Sequence, residues 1–209
     1  MIDESNGYEG IADIYIKGRG RAVNGVGSST ARAWARTLNR GSVVLDIGSG
    51  TGIPVTKILL DEGLAPYALD ASPTMIEAFR QNFPNVPVAC ESAERSPFFN
   101  RSFDGIIAVG LIFLLSEETQ RALIPKMAAA LNPGGRLLFT APLYKVEWKD
   151  IMTEQLSRSL GAEQYRALIS FSGLSILDEL DDEGGNHYFN AIRKDQVTLR
   201  NADGFGSIR

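Results

Sequence analysis

Short apolar runs alternate with amphipathic segments through most of the chain. Runs of this length, bounded by turn residues, predict buried strands, and the segments between them carry apolar residues at helical spacing. The predicted strands are 42–47, 65–70, 86–90, 103–110 and 136–142, and the predicted helices are 52–63, 72–83 and 116–132. Because strands alternate with helices, the pattern predicts a parallel sheet with helices on both faces.

Local signals refine the helix boundaries. Ser72 is a suitable N-cap and Pro73 occupies the first helical position, where its missing N–H is not needed. Pro125 lies inside the pattern 116–132, so we expect either a kink or a helix that starts near it. The sequence "NPGG" at 132–135 predicts a helix stop followed by a turn.

The two ends of the chain depart from this alternation. Residues 7–38 predict two helices around a glycine-rich loop, and residues 144–173 predict a loop and two short helices. Residues 174–194 alternate as a hairpin around "DDEGGN". The expected organisation is a single domain over 1–194, with an N-terminal helical lid region (1–40), a core (41–142), substrate-side helices with the hairpin (143–194), and a frayed tail (195–209).

Composition excludes several classes of function. The 209 residues fit one domain, and 21 basic against 25 acidic residues give a net charge of −4, which disfavours a nucleic-acid or anionic-membrane surface. Cys90 is the only cysteine, so an internal disulfide and a multi-cysteine zinc site are excluded, and we expect no metal. No apolar run reaches membrane-spanning length and the N-terminus is polar, so we expect a cytoplasmic protein.

The loop "VVLDIGSGTGIP" at 43–54 joins a strand to a helix and predicts a ligand-binding turn. Gly48, Gly50 and Gly52 give G-x-G-x-G, whereas the dinucleotide fingerprint G-x-G-x-x-G would need a glycine at Ile53. Asp46 stands two residues before the first glycine, where a carboxylate would repel a pyrophosphate but suits a ligand that carries an amine. These departures disfavour a nicotinamide-dependent oxidoreductase, which stays a less favoured alternative.

With these residues the sequence resembles the class I S-adenosylmethionine-dependent methyltransferases. "VVLDIGSGTG" is similar to their first motif, and Asp70 ends the second strand, where the family places an acidic residue. "ESAERSPFFNRSFD" and "LNPGGRLLFT" resemble the segments that lead into the fourth and fifth strands. The four motifs occur in the family's order over roughly residues 40–142. The resemblance implies a Rossmann-like, doubly wound α/β sheet of seven strands, with the last strand antiparallel.

The resemblance also implies S-adenosylmethionine as the cofactor. Asp70 would accept both ribose hydroxyls, Met75 would lie under the adenine, and Ala93 would offer its backbone N–H to that ring. Ser92 stands where the family often has an aspartate for the adenine amino group, so this contact departs from the pattern. The implied cofactor-binding residues are Asp46, Gly48, Gly50, Gly52, Asp70, Ala71, Met75, Ser92, Ala93, Gly110, Tyr15 and Arg19.

The segment 15–29 contains four glycines within fifteen residues, which predicts a mobile lid. Tyr15 and Arg19 would close over the cofactor, with Arg19 pairing the methionine carboxylate. A plain surface linker between two helices is the alternative interpretation.

The absence of certain motifs limits the possible methyl acceptors. The fourth strand ends "AVGLIF" and carries neither [DNS]-P-P-[YF] nor a following Pro-Cys, so amino-methylation of DNA bases or protein glutamine and cytosine carbon methylation are disfavoured. A small-molecule acceptor remains, without nucleic acid or membrane as a partner. The catalytic candidates are Tyr144, Glu147 and His187, and Tyr8 and Trp148 are further substrate-side candidates. A non-catalytic protein that binds S-adenosylmethionine or S-adenosylhomocysteine is the leading alternative.

Overall fold

A computed structural model describes residues 3–194, and the predicted tail 195–209 lies outside them. Seven strands form one sheet in the order β3-β2-β1-β4-β5-β9-β8, and β6 pairs only with β7. The strands are β1 (Val43–Ile47), β2 (Ala65–Asp70), β3 (Val88–Cys90), β4 (Phe103–Ala108), β5 (Leu131–Thr140), β6 (Lys145–Lys149), β7 (Leu156–Leu160), β8 (Leu174–Asp181) and β9 (His187–Arg193). The helices are α1 (Ala12–Lys17), α2 (Ser28–Ala35), α3 (Val55–Asp61), α4 (Pro73–Asn82), α5 (Glu117–Ala130) and α6 (Ala162–Phe171).

The strand order confirms the predicted fold class. Strands β1 to β5 pair in parallel, and the last strand, β9, runs antiparallel to both β5 and β8. The strand order reverses between β1 and β4, and in open α/β sheets ligands bind in the crevice at the carboxyl end of such a switch point. The sheet therefore predicts where the functional site lies.

Apolar side chains cover both faces of the sheet, which explains the helix layers. One cluster packs Leu123 of α5 and Ile169 of α6 against strand residues such as Phe139. The other cluster packs Trp34 of α2 and Ile58 of α3 against the opposite face. The sheet is therefore buried between two helix layers.

The predicted capping of α4 is present, and α5 departs from its prediction. Ser72 accepts a hydrogen bond from Met75 N at 3.1 Å, and Pro73 is the first residue of α4. Helix α5 begins after Ser116 and runs through Pro125 as one helix, so the expectation of a start near the proline is wrong. The N-cap bond from Thr119 N to Ser116 Oγ, 3.1 Å long, fixes the earlier start.

The segment after β5 contradicts the prediction of a loop and two short helices. Strands β6 and β7 form an antiparallel hairpin, and only α6 is helical. The hairpin is anchored to the end of β5 and to α5, since Ser159 Oγ donates to Pro142 O at 2.7 Å and Gln120 Nε2 donates to Arg158 O at 3.0 Å. The period-two alternation of "KVEWK" and "LSRSL" favours strands, and tertiary contacts outweigh local helix propensity.

Strand β5 is longer than predicted. It begins at Leu131 instead of residue 136, because Leu131 pairs with Phe103 before an irregularity in the register. Within residues 3–194, no helix combines the length and apolar character that crossing a membrane requires.

Candidate active site

The glycine loop after β1 folds back onto the end of β2. The N–H groups of Gly48 and Ser49 donate to Leu69 O at 2.9 and 3.0 Å, and Gly50 N donates to Asp70 Oδ2 at 2.8 Å. Gly48 and Gly50 have φ angles of +72° and +54°, a region that glycine adopts without the steric penalty of a Cβ. The loop therefore joins the carboxyl ends of two neighbouring strands.

Gly52 has a different role from the other two glycines. A Cβ at this position would lie 2.5 Å from the Phe83 ring, so the residue permits close packing beside α4. It does not line the cavity that the rest of the loop faces. The structure thus gives Gly52 a packing role and leaves Gly48 and Gly50 at the cavity surface.

Two carboxylates, one buried and one half-buried, lie at the carboxyl ends of the adjacent strands. Asp46 is 2% exposed and accepts a hydrogen bond from Thr56 Oγ1 at 2.6 Å. Burial raises the pKa of Asp46 to about 7; the Thr56 bond opposes this rise, and the nearby Asp70 charge adds to it. Burial also raises the pKa of Asp70, although backbone N–H groups of Ser72 and Gly50 donate to it. A ligand with a cationic group and hydroxyl donors would satisfy both carboxylates.

A cavity of about 730 Å³ opens at these strand ends. Ser49 and Ser92 line it, and their side-chain oxygens are buried without a hydrogen-bond partner within residues 3–194. Buried hydroxyl groups left unpaired in this way fit a polar ligand that would complete their hydrogen bonds. The predicted cofactor-binding residues that line the cavity are Asp46, Gly48, Gly50, Asp70, Ala71, Met75, Ser92, Ala93, Gly110, Tyr15 and Arg19.

The loop that carries Ser92 and Ala93 is held by a lysine from α5. Lys126 Nζ donates to Ala93 O and Glu94 O, both at 2.9 Å, and lies 4.5 Å from the centre of the Phe98 ring. The Ala93 carbonyl is thereby fixed, which orients this part of the cavity lining.

The N-terminal residues cover the cavity. Thr51 Oγ1 donates to Gly20 O at 2.8 Å, and the Tyr15 ring lies beside Gly50. Tyr8 and Tyr15 pack edge to face with ring centroids 5.9 Å apart. These contacts fix the predicted lid region against the glycine loop.

Glu9 ties the same segment to the start of α4. It accepts hydrogen bonds from Ser72 Oγ, from Thr74 Oγ1 at 2.7 Å and from Thr74 N at 3.2 Å. Ser72 N in turn donates to Asp70 Oδ1 at 2.9 Å. The N-terminal cover and the β2 carboxylate thus share one hydrogen-bond network.

The structure separates the three predicted catalytic candidates. His187 lines the cavity, but its Nδ1 lies 2.7 Å from Asp181 and its Nε2 lies 3.1 Å from Glu179, so neither ring nitrogen is free for a substrate. Tyr144 is 80% exposed and does not line the cavity. Glu147 lies on the outer face of β6, 3.5 Å from the Arg158 guanidinium, and is also outside the cavity.

Asp150 and Phe113 line the cavity and were not predicted. Asp150 follows β6, which the sequence interpretation placed in a loop, and Phe113 lies in a short 3-10 turn after β4. Reading "KVEWKD" as alternating strand positions would have put Trp148 and Asp150 on one face. Phe113 carries no comparable signal.

Comparison with known proteins relates the chain to methyltransferases. Residues 44–135 match the family model of a methyltransferase domain. An uncharacterized methyltransferase of Mycobacterium bovis is 35% identical over 94 residues, which span 45% of this chain and 37% of that protein. A probable tRNA methyltransferase 9B of mouse is 31% identical over 115 residues, which span 52% of this chain and 25% of that protein. The chain thus spans well under half the length of these relatives.

The fold comparison extends over nearly the whole chain. The Burkholderia thailandensis 1,6-didemethyltoxoflavin-N1-methyltransferase, solved with 1,6-didemethyltoxoflavin and S-adenosylhomocysteine, superposes with a TM-score of 0.71. The superposition covers 93% of this chain and 92% of that enzyme at 18% identity, which shows a shared fold. With the domain match over residues 44–135 and the ordered motifs around the cavity, the chain contains a methyltransferase domain with the fold of the class I S-adenosylmethionine-dependent methyltransferases.

Proposed function

We propose that this chain catalyses methyl transfer from S-adenosylmethionine to a small-molecule acceptor. The observation that carries the proposal is one cavity with two different linings. The carboxylates of Asp46 and Asp70 and unpaired serine hydroxyls form one side, and the aromatic residues Phe113 and Trp148 form the other. A cofactor and an acceptor would meet in that cavity.

The polar side fits S-adenosylmethionine. Asp46 would face the ammonium group, Asp70 the ribose hydroxyls, and Ser92 with Ala93 the adenine. Gly48 and Gly50 would let the backbone approach the methionine moiety closely. The bound cofactor supplies an activated methyl group, and the protein's contribution is to orient the acceptor and exclude water.

The charge of the lining supports a small acceptor over tRNA. Glu4, Glu91, Glu94 and Asp150 line the cavity together with one arginine, Arg19. A nucleic acid needs clustered cations to neutralise its phosphates, and an acidic rim repels them. The mouse tRNA methyltransferase relative keeps tRNA as the alternative that an experiment must exclude.

The open acceptor side also argues against a protein that only binds the cofactor. Such a protein would have an intact cofactor side and a blocked or missing acceptor side. Trp148 and Asp150 instead line the cavity beside the predicted cofactor residues. This arrangement favours catalysis.

Calorimetry and turnover test the proposal in sequence. S-adenosylhomocysteine should bind and NAD should not, because Asp46 suits an ammonium and repels a pyrophosphate. Transfer of radiolabelled methyl from S-adenosylmethionine is then measured with a panel of neutral small molecules and, in parallel, with total tRNA. Labelling of tRNA alone would refute the small-molecule acceptor, and binding of NAD alone would refute the cofactor.

A further inference from the structure

The acceptor side of the cavity has an aromatic wall. The Phe113 and Trp148 rings lie with centroids 5.6 Å apart and an interplanar angle of 40°, and both are half-buried. Ile151, 89% exposed, extends the apolar surface to the mouth. Apolar groups kept at a cavity surface mark a ligand-binding position.

One buried carboxylate lies at this wall. Asp150 is 7% exposed and lines the same cavity. Its Oδ1 accepts hydrogen bonds from Met152 N and Thr153 N, both at 2.9 Å, which fixes the side chain in the turn between β6 and β7. Its Oδ2 takes no part in these bonds. The Tyr8 hydroxyl also hydrogen-bonds to Asp150. Asp150 is therefore held in place, and about one of the roughly four acceptor sites of its carboxylate is left for a ligand.

Tyr8 lies beside this carboxylate at the cavity surface. Burial and the Asp150 charge raise the pKa of Tyr8 to about 12, so its hydroxyl keeps its proton. Among residues 3–194, Arg19 is the one arginine in the cavity lining, and Glu4 adds a further negative charge. An anionic acceptor would meet repulsion here, whereas a neutral hydrogen-bond donor would be bound.

On this basis we propose that the acceptor is a planar, uncharged ring compound that carries a hydroxyl or amino group. The ring lies against Phe113 and Trp148, and the donor group is bound by Asp150. This inference rests on the proposed function, and it names the substrate class and the residues that select it. Asp150 and Trp148 are specificity-determining residues in this arrangement.

The proposal is tested by binding, with protein saturated with S-adenosylhomocysteine. The probes are 2-naphthol, which is planar with a donor; 2-methoxynaphthalene, which lacks the donor; cyclohexanol, which is not planar; and 2-naphthoate, which is anionic. We expect 2-naphthol to bind about tenfold more tightly than each of the other three. Equal affinities, or no measurable binding of 2-naphthol, would overturn the proposal.

Two variants assign the selectivity to residues. Asp150→Asn keeps Oδ1 as an acceptor for the turn, and it should abolish the preference for 2-naphthol over 2-methoxynaphthalene. Trp148→Ala should weaken 2-naphthol about tenfold. Glu147→Ala, at the neighbouring position on the outer face of β6, is the matched control and should leave that affinity unchanged.

The proposed function and the assignment of the acceptor side can fail separately. The titration of S-adenosylhomocysteine comes first, and its failure contradicts the proposed function. If S-adenosylhomocysteine binds but Trp148→Ala and Glu147→Ala behave alike, only the assignment of the acceptor side falls. The same conclusion follows if Asp150→Asn retains the preference for the hydroxyl probe.

Discussion

The cavity has two walls that are built in different ways. The inner wall consists of residues 46, 48–50, 70, 71, 75, 92 and 93, which lie at or shortly after the carboxyl ends of β1, β2 and β3. The outer wall consists of residues 4–6, 8, 15, 19, 113, 148, 150 and 151, which belong to the N-terminal segment, a short turn and the β6–β7 hairpin. The inner wall presents backbone groups and the carboxylates of Asp46 and Asp70, and the outer wall presents side chains that range from the buried Asp150 to the exposed Ile151.

This difference separates a fixed wall from an adaptable one. The inner wall inherits its geometry from parallel strands, so each loop position is set by the sheet itself. The outer wall is attached through individual side-chain contacts, such as the 2.5 Å ion pair between Glu4 and Arg95. Such contacts are weak when exposed and can be replaced one at a time. The inner wall thus suits a constant cofactor and the outer wall a variable acceptor.

The largest expected effect tests whether burial makes the ionisation of Asp46, in the inner wall, unfavourable in the folded chain. The pKa of Asp46 is about 7 in the folded chain and 3.8 as its ordinary value, so the folded state binds a proton more tightly. The contribution of Asp46 to the free energy of unfolding is therefore fully present below about pH 4. It is lost as the pH rises to about 7, which lowers the free energy of unfolding by about 4 kcal/mol. Asp46→Asn should remove that loss.

Urea denaturation across this pH range measures the effect. Asp104→Asn is the control, because Asp104 also accepts a backbone N–H, from Val43 at 2.8 Å, but lies outside the cavity lining. We expect the stability of Asp46→Asn relative to wild type to increase with pH by more than that of Asp104→Asn. Parallel profiles for Asp46→Asn and wild type would show that the carboxylate is not strained.

The same group should make cofactor binding depend on pH. An ammonium ligand requires Asp46 to be ionised, so the affinity for S-adenosylhomocysteine should increase about a hundredfold from about pH 5 to about pH 8. Calorimetry in buffers of different ionisation enthalpy should detect the released proton. An affinity that does not change with pH would show that Asp46 does not bind the ammonium group. The same conclusion would follow if the affinity of Asp46→Asn depended on pH as steeply as that of wild type.

A third prediction isolates the ribose contact of the inner wall. Asp70→Asn should weaken S-adenosylhomocysteine by about tenfold to a hundredfold, because a charged acceptor for two hydroxyls is lost. The control is again Asp104→Asn, whose affinity should equal that of wild type. Near-ultraviolet circular dichroism checks that both variants are folded. Unchanged affinity in folded Asp70→Asn would reject the ribose assignment.

The sequence predicts the inner wall far better than the outer one. Gly48, Gly50 and Asp70 follow from a strand that ends in glycines and a second strand that ends in an acid, because sheet geometry brings these positions together. Gly52 belongs to the same motif, yet its packing against Phe83 depends on a helix thirty residues away. The roles of the site residues as ligands remain predictions.

Long-range packing explains why the outer wall was missed. Nothing local to Phe113 or Asp150 indicates that β4 and a distant hairpin will face each other. Tyr144 and Glu147 are candidates because they follow β5, but the alternation of β6 turns Glu147 away from the cavity, and Tyr144, which precedes β6, is exposed and outside the cavity lining. Neighbouring residues of a strand face opposite sides, so the way the hairpin docks determines that Trp148, and not Glu147, faces the cavity.

The smallest expected effect tests how the outer wall is attached. Burial acts to raise the pKa of Glu9, but the hydrogen bonds from Ser72 and Thr74 outweigh it and lower the pKa. Glu9→Gln keeps the shape and loses the charge, so the attachment should weaken by about 1 kcal/mol, roughly a fivefold faster opening. Hydrogen exchange should accelerate by that factor over residues 3–21 and stay unchanged in β1 and β4.

Asp13→Asn, an exposed position on α1, is the control and should change neither region. Acceleration in β1 as well would mean that the two walls open together, and no change over residues 3–21 would mean that Glu9 does not hold the cover.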